Sequence, residues 1–477
     1  MAFPDITEQW DIVDFMGDKD LEEHRAFINT LTFTNFLKSP AVEKYVKEHG
    51  RVRMPSIRYA YLYYLMTKLG PYYGNSKYTA YFESVCKYGH SSFPEVYTSC
   101  QNIDPHIMTK LCLILETMTR EQSDNDLWSM LRHGIISSTK LYQTVKPGRH
   151  YKIFEPRPLN TDFYSGGALA FGLRSETVVK ELMDSFVLRG TGRKNLGFLM
   201  SPLDGIFGVS LDMCSHVAIG NDGLEFQGNA TIYEIKSRYK YLFSKREYDC
   251  TYKAYMDLYE SPNKRNFIHF ITSIPRATIE YVEQGRAPTE NDYLLTDDPA
   301  WDICQKKRRR LLRDTEVCRD LTFNRQVDSR VLILSDPSVE DGNIYIKSEL
   351  ILPIYVNPRH SYFFQLMLQY KVVKNLIQIT ATQHFLTSRY PGTSVVTAFF
   401  RKRESSDPTP CYIDKKPITL TEIPVILLIT PVYFPPDTVL NRLKTAVRSW
   451  ASEAADVIPN TAPWAPVALV ASGDITP

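Results

Sequence analysis

The stretches Ile206-Phe207-Gly208-Val209-Ser210-Leu211-Asp212 and Thr231-Ile232-Tyr233-Glu234-Ile235-Lys236-Ser237-Arg238 decide the fold. Both are short, apolar and rich in β-branched or aromatic residues, and Asn221-Asp222-Gly223 lies between them as a turn signal. That pattern predicts two strands. Alternate side chains of a strand share a face. Glu234 and Lys236 therefore point one way, while Tyr233 and Ile235 point into a core. Asp212 closes the first strand, and the 22 residues from it to Glu234 suffice for a hairpin with a long loop.

An acid ending one strand, with acid-x-lysine on the next, resembles the active-site pattern of the PD-(D/E)XK nucleases. Phosphodiester hydrolysis needs a hard divalent cation, and such cations prefer carboxylate and carbonyl oxygens. Asp212, Glu234 and the main-chain carbonyl of Ile235 can supply them. A cation there polarises the phosphate and lowers the pKa of a bound water. Lys236 would position that water and balance charge on the phosphorane. The alternative is an exposed cross-strand pair of Glu234 and Lys236 on an ordinary sheet. Asp414-x-Lys416 repeats the spacing, but it lies in a polar, proline-flanked stretch with no acid-bearing strand before it, and is read as a turn.

At 477 residues, the chain is long enough for a large core and two or three lobes of about 150 residues each. A net charge of +2 gives no bulk attraction for nucleic acid, so a nuclease would need its basic residues clustered. None of the eight cysteines is spaced as C-x-x-C, which argues against a zinc ribbon or a redox pair and fits a reducing compartment. The N-terminus turns polar at once and lacks the pattern of a secretory signal. The longest apolar run, Ile423 to Phe434, is broken by Pro424 and Pro431. It is too short to span a bilayer and reads as a buried strand.

Residues 1–150 are predicted as a mainly helical N-terminal lobe. Pro55 marks the start of a helix over Ser56–Leu69, whose tyrosines (Tyr59, Tyr61, Tyr63, Tyr64) suit helix packing better than base stacking. Residues 151–470 are predicted as the nuclease core and C-terminal lobe, the whole forming one bilobed α/β unit. Within it we expect a helix over Ser175–Phe186 with Ser175 as N-cap, helices over about 245–285, and a mobile basic segment over about 286–328 that contains Lys306-Lys307-Arg308-Arg309-Arg310. Strands over Val331–Leu334 and Ile344–Ile346 follow, then a long helix over His360–Gln378 and strands over Val395–Phe400 and Val425–Thr430. The last twenty or so residues read as a loose tail.

Three further sets carry two readings each. Glu176, in the first turn of its expected helix, either complements the helix dipole or is a third acid near a cation. Tyr362, Gln365 and Gln369 share a helix face, which is either a half-buried polar edge or the source of a glutamine reaching the cation-bound water or the scissile strand. The string from Leu131 to Lys140 holds Arg132, Gly134, Ser137 and Thr139. It either caps one helix at Gly134 and starts another at Ser137 or Ser138, or grips a phosphate, and the two are compatible.

Together these segments resemble the herpesvirus alkaline nuclease family, and within it the gammaherpesvirus shut-off exonucleases. The strings that carry the resemblance run nearly end to end: Gly134-Ile135-Ile136-Ser137-Ser138, Leu169-Ala170-Phe171-Gly172-Leu173-Arg174, Ser201-Pro202-Leu203-Asp204-Gly205 leading into the first motif strand, Tyr233-Glu234-Ile235-Lys236, Asn357-Pro358-Arg359-His360-Ser361-Tyr362, and Thr430-Pro431-Val432-Tyr433-Phe434-Pro435. The resemblance implies a PD-(D/E)XK, restriction-endonuclease-like α/β fold similar to lambda-type exonuclease, with a central mixed sheet and a substrate channel between lobes. It implies Mg²⁺-dependent 5′→3′ digestion of linear duplex DNA at alkaline pH, with Mn²⁺ as a substitute, and cleavage of host mRNA that shuts off host gene expression. The implied setting is a monomer in the host nucleus and host cytoplasm, with a viral single-strand DNA-binding protein as partner.

By the same resemblance Asp212 and Glu234 bind the metal, Lys236 acts with the attacking water, Glu176 is a further active-site acid and Gln365 the active-site glutamine. Ser210, Arg132, Ser137 and Thr139 hold the 5′ phosphate, Thr139 standing where a serine is expected. Asp204 reads as a turn residue. Gly167-Ala168 departs from the expected glycine-proline in a loop tied to RNA degradation. An alkaline preference follows if the water, or Lys236, must lose a proton before reaction. The rival readings are a catalytically silent nucleic-acid-binding protein on a nuclease fold and a sequence-specific endonuclease of the same superfamily.

Overall fold

The computed structural model of the chain describes residues 23, 26–49, 54–73, 105–122, 125–145, 153–155, 167–220, 223–246, 249–274, 315–380 and 391–457. Residues 286–314 of the segment expected to be mobile and basic, with the run at 306–310, the turn residues Asn221 and Asp222 and the C-terminal tail lie outside them; the rest of that segment is not mobile but packed, with a helix over Thr315–Asn324 that buries Val317 and Leu321.

Helices come first: α1 (Phe33–Leu37), α2 (Pro40–His49), α3 (Met54–Tyr73), α4 (Pro105–Met118) and α5 (Asp126–Leu131). Side-chain caps fix where two of them begin. Thr32 accepts the Asn35 N–H ahead of α1, and Asn125 accepts the Trp128 N–H ahead of α5. The tyrosines of α3 do pack. Tyr59, Tyr61 and Tyr63 are buried, and the Tyr61 ring stacks edge-on against Phe33 at 5.0 Å. Next come β1 (Ile136–Ser137), α6 (Ser138–Val145) and α7 (Ala168–Leu182), which runs on as a π-helix over Met183–Leu188.

β2 (Gly192–Arg193), β3 (Phe198–Met200), β4 (Phe207–Ser210), β5 (Met213–Gly220) and β6 (Gly223–Ser237) precede α8 (Cys250–Glu260), α9 (Lys264–Ser273) and α10 (Thr315–Asn324). The remainder is β7 (Ser329–Leu334), β8 (Asn343–Ile344), β9 (Ile346–Leu352), α11 (Ser361–Thr380), β10 (Gly392–Lys402), β11 (Cys411–Ile413), β12 (Lys416–Ile418), β13 (Glu422–Pro431) and α12 (Pro436–Val457).

The central sheet has seven strands in the order β2-β5-β6-β10-β13-β7-β9. It is mixed, as expected: β10 runs parallel to β6 and antiparallel to β13. The apolar run expected as a buried strand is β13. Its Pro424 sits where the pairing register slips between Phe399 and Phe400, a place where a missing N–H costs little. Alternation along the central strands sends side chains into two cores. Val395, Phe399, Ile426 and Leu428 join α11 and the N-terminal helices on one face. Val396, Phe400 and Leu427 meet Phe171, Val179 and Leu182 of α7 on the other. The first core takes in Ile28 at one end and Ala454 at the other. The N-terminal helices, the sheet and α12 are thus held by one continuous apolar contact.

The structure corrects three expectations. Helix α7 starts at Ala168, because the run from Ala168 to Arg174 favours helix as soon as Gly167 (φ 90°) releases the chain. Ser175 is therefore mid-helix, and its hydroxyl donates back to the Phe171 carbonyl at 2.6 Å instead of capping. Glu176 likewise lies in the body of α7. Second, the run 206–212 is not a strand of the central sheet. β4 belongs to a separate three-stranded sheet, β1-β4-β3, and Asp212 occupies the bend between β4 and β5. Long strands fill the interval to Glu234, and the β5–β6 hairpin pairs as far as Gly220 and Gly223, so no long loop exists. Third, α12 was not anticipated. Asp414 and Lys415 do lie in a turn, with φ of 48° and 66°, between β11 and β12.

Cys112, Cys214, Cys250 and Cys411 are free. Among the described residues no helix is long and apolar enough to cross a membrane. One buried ion cluster braces the far end of β10. The Arg401 guanidinium bonds both Asp407 oxygens at 2.6 and 2.7 Å and Asp336 at 2.8 Å.

Candidate active site

Register brings the two motif acids together. β5 and β6 pair antiparallel with Met213 opposite Tyr233, so one step further along the chain places Asp212 opposite Glu234. The Asp212 carboxylate accepts the Ile235 N–H at 2.8 Å, which anchors it to β6. Ile235 itself is in the second core, with Tyr233 half-buried against it. Glu234 is fully buried, not part of an exposed cross-strand pair. α11 lies over its face of the sheet, so both faces of β6 are covered.

That helix delivers the glutamines. Gln365 donates from Nε2 to Glu234 Oε1, and the Lys236 ammonium donates to the same oxygen. Gln369 donates to Glu234 Oε2 at 2.6 Å and also to the Ser210 carbonyl at 3.2 Å. Tyr362 completes the shared face, its ring centroid 4.9 Å from Lys236 Nζ. A buried carboxylate is tolerable only when so bonded.

Charge in the site is frustrated. Burial, then the repulsion of Glu234, pushes the Asp212 carboxyl well above the ordinary carboxylate range, against the pull of Lys236 and Lys180. Burial and Asp212 also push Glu176 up, although the Lys180 ammonium stands 2.6 Å from it. Burial alone would lower Lys236, but Glu234 and Asp212 outweigh it and hold the ammonium charged. A divalent cation between the carboxylates would relieve this repulsion. Among the described residues no three His, Cys, Asp or Glu side chains form a closed metal cage. Two carboxylates plus the Ile235 carbonyl suit a cation that keeps open positions for water and a phosphate oxygen.

The residues expected to hold a phosphate fall into two contacts. Ser137 and Thr139 hydroxyls are 3.1 Å apart at the junction of β1 and α6. Arg132 lies with its guanidinium carbon 3.9 Å from the Trp128 ring centroid, and the Trp128 indole donates to the Ser210 hydroxyl at 3.0 Å. Ser210 thus faces both groups, with its hydroxyl on the Trp128–Arg132 side and its carbonyl on Gln369. Sequence reasoning passed over Trp128, although an aromatic one helical turn before Arg132 was a usable signal. Asp204 is a turn residue as read: its carboxylate accepts the Ile206 and Phe207 N–H groups and the Ser201 hydroxyl.

Removing one glutamine should weaken the site without unfolding it. Gln369→Leu leaves Glu234 Oε2 and the Ser210 carbonyl without their donor. We expect divalent-cation affinity at the Asp212–Glu234 pair to fall at least about tenfold, the usual cost of losing a group that orients a metal ligand. A calorimetric titration of wild type and variant with a divalent cation measures it.

A self-repelling pair of acids, one of them gripped by a lysine and two glutamines, fits the divalent-cation chemistry of a nuclease. The sequence profile of the viral alkaline exonuclease family matches residues 23–469, and the chain belongs to that family. It is 40% identical to the shutoff alkaline exonuclease of Saimiriine herpesvirus 2 (strain 11), over 99% of this chain and 100% of that one. It is 41% identical to the shutoff alkaline exonuclease of Epstein-Barr virus (strain GD1), over 97% and 100%.

Among solved structures it resembles the Shutoff and Exonuclease Protein from Kaposi's sarcoma-associated herpesvirus, with a TM-score of 0.81 at 33% identity over 96% and 97% of the two chains. The complex of that virus's SOX protein with RNA gives 0.77 at 34% identity, over 91% and 95%, and a SOX–DNA complex gives 0.78 at 33%, over 97% and 98%. The chain is accordingly a phosphodiester hydrolase of nucleic acids, and nucleases of this family generally depend on a divalent metal.

Proposed function

We propose that the chain is a Mg²⁺-dependent exonuclease that enters linear duplex DNA at a 5′-phosphorylated end, digests it 5′→3′, and also cuts RNA. The observation that carries this reading is Ser210: its hydroxyl accepts from Trp128, whose ring lies against Arg132, its carbonyl accepts from Gln369, which also holds Glu234, and Ser137 stands on the paired strand beside Gly208. A grip on a terminal phosphate next to a cleavage centre favours attack from an end. The shutoff names of the relatives, and the solved complexes of SOX with RNA and with DNA, support the double substrate. The same reading extends to host mRNA as the RNA target, to work in host nucleus and cytoplasm, and to a viral single-strand DNA-binding protein as partner.

Asp212, Glu234 and the Ile235 carbonyl would hold the metal, with Mn²⁺ able to replace Mg²⁺. When bound, the metal supplies Lewis-acid polarisation of the phosphate and a more acidic water. Lys236, held charged, donates to the non-bridging oxygens as negative charge develops there. Gln365 and Gln369 fix the rotamer of Glu234. Arg132 and the hydroxyls of Ser137, Thr139 and Ser210 bind and orient the end phosphate.

The test is digestion of four Mg²⁺-containing samples: linear duplex with 5′ phosphate, linear duplex with 5′ hydroxyl, closed circular duplex, and single-stranded RNA. We expect the phosphorylated linear duplex to be degraded at least about tenfold faster than the hydroxyl form, equivalent to ~1.4 kcal/mol of phosphate binding. The circle should resist and the RNA should be cut. Equal rates on circle and linear DNA would favour an endonuclease, and no cleavage of any sample a silent binding protein.

A further inference from the structure

We propose that Arg58 is the positioning residue of the phosphate set, a clamp through which the N-terminal helices hold the pocket in shape. Arg58 lies on α3, which among the described residues contributes no side chain to the cleavage centre, and its side chain is fully buried. Its three hydrogen bonds go to main-chain carbonyls: Nε to Gly205 at 2.9 Å, Nη1 to His133 at 3.1 Å, and Nη2 to Gly134. The guanidinium carbon sits 3.5 Å from the Phe33 ring centroid. Among the described residues no carboxylate forms an ion pair with it. A buried charge kept without a counter-ion costs free energy, so its retention calls for an explanation beyond packing.

The three carbonyls explain it. His133 and Gly134 form the turn that leads into β1, and Gly205 the turn that leads into β4. These two strands run parallel, Ile136 beside Phe207 and Ser137 beside Gly208. Arg58 therefore ties together the feet of the pair whose far ends bear Ser137 and Ser210. Arg132 and Thr139 flank the same segment. A guanidinium suits this task because its planar fork fixes several acceptors at set angles, which an ammonium does not.

The turn is held from the other side as well. The Trp450 indole of α12 donates to the Gly134 carbonyl at 2.9 Å, and Glu453 of α12 accepts the Ile153 N–H at 2.7 Å. The Ile153 carbonyl in turn accepts the Gly134 N–H at 3.2 Å. Gly134 takes φ +64°, and a Cβ there would come within 2.7 Å of Phe33 and 3.2 Å of Arg58. The turn thus has one conformation, and donors from α3 and α12 converge on a single carbonyl within it.

This inference rests on the reading of the Arg132 set as a terminal-phosphate pocket. The experiment compares kcat/KM on 5′-phosphorylated and 5′-hydroxyl linear duplex for wild type, Arg58→Met, Arg58→Lys and Arg132→Ala. Cleavage of single-stranded RNA serves as the readout of the chemistry itself. We expect wild type to prefer the phosphorylated end at least about tenfold, and Arg58→Met to bring that preference close to 1, with RNA cleavage retained within about threefold. Arg58→Lys should recover only part of the preference, because an ammonium cannot span three carbonyls.

If Arg58→Met does not fold, Arg58→Lys decides, since it keeps the charge but cannot span three carbonyls; an unchanged preference there overturns the proposal. Loss of preference in Arg132→Ala with full preference in Arg58→Met overturns the clamp and leaves the pocket standing. A wild type that ignores the phosphate, with Arg132→Ala indistinguishable from it, overturns both.

Discussion

Asp212→Asn is expected to abolish digestion of linear duplex DNA in Mg²⁺ while leaving the protein folded. The substitution removes one of two carboxylates available to a cation. Metal stabilisation of the transition state is worth several kcal/mol, so the rate should fall at least about a thousandfold. Stability should move the other way. The asparagine oxygen can still accept the Ile235 N–H that Asp212 accepts at 2.8 Å. The carboxyl it replaces is held above its ordinary range by burial and by Glu234. An acid whose pKa is raised by folding costs stability at pH values above its unfolded pKa, and removing it returns that cost. At neutral pH the variant should therefore melt at or above the wild-type temperature without metal. It should also lose the Mg²⁺-induced rise in melting temperature that ligand linkage predicts for wild type. Digestion at wild-type rate by the variant would end the assignment of Asp212.

Arg401→Met should have the largest effect on stability. It strands Asp407 as a buried acid without its cation and leaves Asp336 with Lys245 at 3.2 Å, and breaking a buried pair from one side typically costs about 3–5 kcal/mol. A urea denaturation midpoint at pH 7 measures the loss. The acid limb gives an independent check. Burial would raise the Asp336 carboxyl, but Arg401, Ser338 and Lys245 outweigh it and hold it at about 2. Asp407 is also held below its ordinary value, burial again being outweighed, chiefly by Arg401. Folded values below the unfolded value of about 3.9 mean that this contribution is complete above that pH and fades as pH falls towards 2. Wild type should therefore lose stability steeply across that window, and the Arg401→Met curve should be flatter there. Parallel curves would show that the cluster does not govern acid sensitivity.

The hydrophobic alternation of the motif strands and the i, i+3, i+4 spacing of Tyr362, Gln365 and Gln369 were legible in the chain because each is a local period. The meeting of that helix face with Glu234 is a tertiary fact, and the spacing alone could not choose between a polar edge and a carboxylate grip. The break after Ser210 was hidden for a different reason. An apolar run looks the same whether it ends one sheet or continues into the next, and only the bend at Asp212 separates the two. Glu176 was misplaced because Ser175 is a plausible cap, whereas its hydroxyl bonds back into a helix that Ala168 had already begun. The amphipathic run of α12 carried a readable helical pattern and was passed over. Arg58 gave no local sign at all, since its three partners lie in turns more than seventy residues away in the chain.

The joint between the two sheets fixes more than position. Ser210, whose hydroxyl accepts from Trp128, and Asp212, which faces Glu234, are separated by Leu211 alone, and Leu211 is fully buried. In the proposed enzyme, the span from the captured terminus to the severed bond is therefore written into covalent backbone, like the jaw gap of a fixed-stroke cutter. Product size should then be uniform along a substrate and indifferent to base sequence. Inserting a residue between Ser210 and Asp212 should change the length of the fragment released, or stop release, and sequencing-gel resolution of the products would reveal which.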